Sequence, residues 1–130
     1  MAQNTNPIFE LVPTVKGVSF ALADTTTKKT IQTGGTNGTR IDELFISTND
    51  TADVNLAFHI NDGATDFYIG NVNVPAGSGY TTEIRIDAIA TLCPSLGYLV
   101  LPYNYILKAN CVASMTTGKI TTVVAIGGEY

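Results

Sequence analysis

Apolar and polar residues alternate along most of this chain, and the alternation predicts strands. Val18, Phe20 and Leu22 alternate with Gly17, Ser19 and Ala21, the period of two shown by a strand with one buried face. Arg40 to Thr48 resumes it, with Ile41, Glu43 and Phe45 on one face and Leu44 and Ile46 on the other. Val54, Leu56, Phe58 and Ile60 then alternate with Asn55, Ala57, His59 and Asn61 in the most regular strand of the chain. Asn61-Asp62-Gly63 ends that strand as a hairpin turn, because Asp-Gly readily adopts positive φ. Phe67 to Val74 returns as its partner, and Thr81 to Ile86 forms another short strand. Tyr105, Leu107, Ala109 and Cys111 alternate with Ile106, Lys108, Asn110 and Val112. Thr117-Gly118-Lys119 reads as a further hairpin turn. Ile120, Thr122, Val124 and Ile126 complete the last strand before Gly127-Gly128.

Thr25 to Gly38 is rich in Thr, Lys and Gly, with Gly34-Gly35 and Asn37-Gly38 as turns and a short strand around Ile31. Asp87 to Gly97 is the one helical stretch, with Ile89, Leu92 and Leu96 at helical spacing and Pro94 limiting its length. Seven or eight short strands, and no helix long enough to cross between parallel strands, predict an all-β fold. The expected architecture is an antiparallel β-sandwich, jelly-roll-like, with at most one short helix. Residues 1–14 carry Pro7 and Pro13 and read as an extended N-terminal arm. Residues 15–130 form the single sandwich domain. The arm's Ile8, Phe9, Leu11 and Val12 are apolar and are expected to dock, either back on the chain's own domain or on a neighbouring subunit as a partner-docking arm.

The chain's 130 residues are enough to bury a core without a disulfide or metal staple. Charged residues are only 14% of it, against roughly 25% in ordinary soluble domains. Thr, Asn and Gly replace them, which favours protein–protein contact. The net charge of −4 and the thin scatter of seven Lys and Arg argue against nucleic acid as a partner. Lys28-Lys29, the one adjacent basic pair, reads as a solvated turn. No segment reaches the ~18 apolar residues of a membrane span, and the N-terminus lacks the basic and apolar regions of a signal peptide. Neither membrane nor nucleic acid is therefore expected as a partner.

The residues offer no catalytic machinery. His59 is the lone histidine, on the polar side of a strand, with no nucleophile or orienting group that sequence can nominate. Asp50 and Asp53 flank one turn and Asp62 and Asp66 another. Turn aspartates bond their own backbone amides, which accounts for all four. Glu83, Arg85 and Asp87 share one strand face and could pair there. Cys93 and Cys111 read as free, buried thiols, with no spacing that suits zinc. No catalytic, cofactor-binding or metal-binding residue is nominated, and the chain is not read as an enzyme. Tyr98, Tyr103 and Tyr105 cluster around Pro102; tyrosine, with an apolar body and a polar tip, suits an interface as well as a core.

Several segments carry a family likeness. They are Arg40-Ile41-Asp42-Glu43-Leu44, Phe58-His59-Ile60-Asn61-Asp62-Gly63, and Gly70-Asn71-Val72-Asn73-Val74-Pro75-Ala76-Gly77-Ser78-Gly79. Leu101-Pro102 leading into Tyr105-Ile106-Leu107-Lys108 follows, and then Val123 to Tyr130. Their succession, across residues 39 to 130, resembles the jelly-roll head decoration (cement) proteins of tailed bacteriophages. The resemblance implies a structural virion protein made in the host cytoplasm and placed on the capsid surface. There it would clamp neighbouring capsomers, with the major capsid protein and its own copies, as a homotrimer, for partners. The alternative expectation is a neck, tail or fibre module that binds carbohydrate, with the three tyrosines as its candidate site.

Overall fold

The computed structural model describes residues 12–81 and 84–130. Its strands are β1 (Val12–Ala21), β2 (Lys29–Thr33), β3 (Thr39–Thr48), β4 (Val54–Asn61), β5 (Asp66–Val74) and β6 (Ile86–Asp87), followed by helix α1 (Ala88–Leu92). β7 (Leu99–Leu101), β8 (Ile106–Cys111) and β9 (Ile120–Glu129) complete the chain, and a single 3-10 turn, Leu22–Asp24, follows β1. The strands form two antiparallel sheets. One has the order β1-β9-β3-β6, with β7 also on β3, and the other has the order β2-β8-β4-β5. β6 and β7 pair with opposite ends of β3, at Phe45–Ile46 and Thr39–Ile41. They act as one edge strand interrupted by α1. Counted so, successive strands alternate between sheets except at the β4–β5 hairpin, and the orders are those of a jelly roll. The expected all-β sandwich is what the chain forms.

The core lies between the sheets. Phe20, Leu44, Ile46, Val123 and Ala125 come from one side, and Leu56, Phe58, Val72, Val74, Leu107 and Ala109 from the other. β4 follows the predicted alternation because both its neighbours, β5 and β8, hold it in the middle of its sheet. In β3 the phase differs from expectation. A bulge between Ile41 and Glu43, opposite Gly127 and Ile126, shifts the alternation by one. Ile41 therefore joins Leu44 and Ile46 in the core, while Phe45 points outward.

β9 also corrects the reading. Its buried positions are Thr121, Val123, Ala125 and, beyond them, Gly128, and Ile120, Thr122, Val124 and Ile126 face out. It continues through Gly127 and Gly128 instead of stopping before them. That extra length gives the chain ahead of Val15 a ladder. Val12, Pro13 and Thr14, assigned above to the arm, lie in β1 opposite Glu129, Gly128 and Gly127. Pro13 is tolerated because β1 is an edge strand. Ile8, Phe9 and Leu11 lie outside the described residues.

The turns divide into two kinds. Asn61-Asp62-Gly63 is the hairpin turn predicted, with Gly63 at φ 103 and the Asp62 carboxylate accepting from the Ala64 and Thr65 amides. Thr117-Gly118-Lys119 is a tight turn but not a hairpin, because β8 and β9 belong to different sheets. Of the predicted Thr81–Ile86 strand, only Ile86 pairs within the described residues, together with Asp87. The Asp87 carboxylate caps α1 by accepting from the Ile89 amide at 3.1 Å, and the Leu44 amide reaches the same oxygen at 3.4 Å.

Candidate functional site

The outward face of the five-stranded sheet is its most distinctive surface. The registers place Val15 beside Ile126, and Gly17 beside Val124, which in turn lies beside Phe45. All lie on the side away from the core. Val15 is 67% exposed, and Phe45, Val124 and Ile126 are half-buried by one another and by their strand neighbours. At the β6–β7 edge the face turns mixed. The Arg85 guanidinium stacks on Phe45 at 4.2 Å from the ring centroid, and Arg40 stacks on Tyr98 at 4.3 Å. Arg40 also binds the Asp42 carboxylate at 2.6 Å, and Val100 is exposed beside Arg40 on β7. The same face carries the exposed Glu43 opposite Ile126, and Ser19, Thr122 and Ser47 abreast toward its other end, so it is mixed, with Arg and aromatic residues, types enriched at protein interfaces, along its side. Each ring contact restrains a long arginine side chain, so a partner meeting it would lose less rotamer freedom.

Sequence reading did not single out Val15, Phe45, Val124 or Ile126 as a surface. The available signal was the unbroken run Val123-Val124-Ala125-Ile126, since a strand apolar at successive positions has two faces to cover. The three nominated tyrosines are spread. Tyr98 belongs to this face through Arg40. Tyr103 is 58% exposed in the turn between β7 and β8, where Asn104 takes positive φ. Tyr105 packs against the core, and its carbonyl accepts from the Gly34 amide at 2.7 Å. They do not form one aromatic platform.

The opposite face, on the four-stranded sheet, is polar. His59 bonds the Asn110 side chain at 3.0 Å and tilts against Tyr68, with ring centroids 5.7 Å apart. At one end Asp66 gathers Lys28 at 2.8 Å, the Asn61 amide at 2.7 Å and, more distantly, Lys108 at 3.8 Å. Its bonds to Lys28 and then Asn61 hold its carboxyl down at about 2. Asp66 is thus an ion-pair centre and not the turn residue expected. Lys28 and Lys29 are both engaged, Lys29 with Asp24 at 2.9 Å and the Ser19 carbonyl at 2.6 Å. The pair is not a freely solvated turn.

Asp53 accepts from the Ala76 amide, which ties two loops at one end of the sandwich. Among the described residues no three His, Cys, Asp or Glu side chains gather as a metal site would require. Glu83 lies outside those residues. Both cysteines are free, Cys111 buried and Cys93 half-buried. Burial pushes the Cys111 thiol up to about 11, helped by the charges of Asp24 and Asp50. Burial raises Cys93 as well. Neither thiol is thereby activated as a nucleophile. No model of a known protein family matches the chain, and no curated protein matches it either.

Proposed function

We propose that this protein is a structural subunit that works by docking, as a decoration protein on the outer surface of a tailed-phage head. The observation that carries the reading is the outward face of the five-stranded sheet, with Val15, Phe45, Val124 and Ile126 flanked by the stacked Arg40 and Arg85. A rigid sandwich presenting such a face can bridge shell subunits without moving. Each contact then adds modestly, and repetition over a symmetric shell multiplies the effect. The segment resemblance to decoration proteins supplies the identity of the partner, the major capsid protein, and trimeric self-association fits the same use of repeated surfaces.

The first test is the copy number of the protein in purified virions of the phage that encodes it, by quantitative mass spectrometry. Abundance comparable to the major capsid protein supports decoration. A few copies per particle moves the assignment to neck, tail or fibre, and absence from the particle rejects the virion reading. The second test addresses the face. Val15 is largely exposed, so Val15→Lys should leave the unfolding midpoint unchanged while weakening attachment to heads at least tenfold. Unchanged attachment would rule out this face.

A further inference from the structure

The basic side chains of the chain fall into two groups. Lys28, Lys29, Arg40 and Lys108 each lie within 3.8 Å of a carboxylate oxygen. Arg85 has no carboxylate partner among the described residues, and neither do Lys16 and Lys119. Lys16, however, takes a core-facing position opposite Ala125, and Lys119 lies in the turn before β9. Arg85 is therefore the cation left unneutralised on the outward face of the five-stranded sheet.

Its placement is built from two sides. The guanidinium sits over Phe45, an outward residue of β3, at 4.2 Å from the ring centroid. Gly79, at φ 78, brings its backbone against the aliphatic stem. A Cβ at Gly79 would stand 2.9 Å from both Arg85 Cγ and Ser47 Cβ, so a larger residue there would push the stem away from β3. The side chain is thus guided along the sheet face instead of trailing into water. It is still exposed, and a partner can reach it.

The chemistry of that partner follows from what Arg85 offers and what surrounds it. A guanidinium presents N–H donors in a planar fork that matches a carboxylate or a phosphate with two parallel bonds. A polyanion is a poor match here. One cation is not the basic cluster that nucleic acid requires. The exposed Glu43 lies on the same face, two residues along β3 from Phe45, a step of roughly 7 Å, and repels a second negative charge. The net charge of −4 adds to that repulsion. What fits is a single carboxylate beside apolar surface that covers Val15, Val124 and Ile126.

We propose that Arg85 takes one aspartate or glutamate carboxylate on the outer surface of the major capsid protein, and so fixes the register in which the face docks. The inference rests on the docking reading above and names the partner group that this reading leaves open. In the contact, neighbouring apolar side chains exclude water and strengthen the pair.

The test measures attachment of the full chain to heads that lack it, at low and high NaCl, for the parent, Arg85→Gln, Arg85→Lys and Val15→Lys. The Arg85 side chain hydrogen-bonds none of the described residues, so Arg85→Gln should keep the parent's unfolding midpoint. It should attach at least about tenfold more weakly at low salt, and the difference should shrink as salt screens the pair. Arg85→Lys, a cation without the fork, should fall between the two. Carbodiimide treatment of Arg85→Lys on heads should join the introduced amine to one capsid Asp or Glu, located by mass spectrometry. Arg85→Gln attaching like the parent while Val15→Lys is weakened overturns this proposal and leaves the docking face standing. Both variants attaching like the parent overturns the docking reading, and this proposal with it. A loss in Arg85→Gln that salt does not shrink, or no crosslink from the introduced amine to a capsid carboxylate, makes Arg85 a packing contact and overturns the pairing.

Discussion

Asp50 lies in the connection after β3, yet it is buried to 3% exposure and serves three segments. Its carboxylate accepts from the Ala52 amide at 3.0 Å, the Thr116 amide at 3.1 Å and the Thr116 hydroxyl at 2.7 Å. Its carbonyl accepts from the Gly77 amide. Burial alone would raise its pKa, but the bonds from Ala52, Thr116 and Thr51 outweigh it and the carboxyl is held below its usual value. Asp50→Ala would strand these donors out of reach of a replacement. A loss of about 2–4 kcal/mol is expected, read as a lower urea midpoint. An unchanged midpoint would mean that water replaces the carboxylate. Sequence alone gave the local half of this role, the turn after β3. The reach to Thr116 was not legible, because it depends on which loops the topology brings together. The β2 bulge between Thr30 and Gln32 was hidden for a similar reason. Nothing in a Thr-rich stretch announces it, and without it the buried Gln32 would fall on the outer face.

At the scale of elements, β9 organises its sheet, with β1 on one side and β3 on the other. The β3 bulge brings the Arg40 carbonyl so close to Gly127 that a Cβ there would overlap the oxygen. Gly127→Ala must then push backbone against backbone. It is expected to cost at least ~2 kcal/mol and to lower the thermal midpoint, even though no side chain is lost. A neutral outcome would show that the ladder can slide at the bulge. β4 and the β4–β5 hairpin were legible because their signals are local: Val54, Leu56, Phe58 and Ile60 alternate, and Asp62-Gly63 turns the chain back. The error at Thr117-Gly118-Lys119 has the same origin. A turn sequence fixes a reversal of direction, but not whether the returning strand pairs or crosses to the other sheet. The phase of β9 was ambiguous because Val123 to Ile126 is apolar on both sides.

For the molecule as a whole, the acidic response follows from its carboxylates. Asp24, Asp50, Asp62 and Asp66 all titrate below their ordinary range in the folded protein. Asp66 reaches about 2, first through Lys28 and then Asn61, against roughly 3.9 in an unfolded chain. A lowered folded pKa stabilises the native state above the unfolded value and ceases to do so as pH falls through the folded value. Stability should therefore be level down to about pH 5 and decline from there toward pH 2. Asp66→Asn should be less stable than the parent near neutral pH, and the gap should close near pH 2. A gap independent of pH, measured as urea midpoints, would mean that the carboxylate's charge is not what matters. The sandwich class was readable from strand spacing alone. The surfaces that face partners were not, since they depend on how the strands lie side by side.

The position of β9 has a further consequence for synthesis of the chain. β1 and β3 have no neighbour between them until residues 120–129 have been made and have left the ribosome. Every earlier nascent chain lacks the strand that joins its sheet, while Phe20, Ile41, Leu44 and Ile46 have already emerged. The five-stranded sheet therefore closes only after translation has passed β9, when β1 and β3 gain the strand between them.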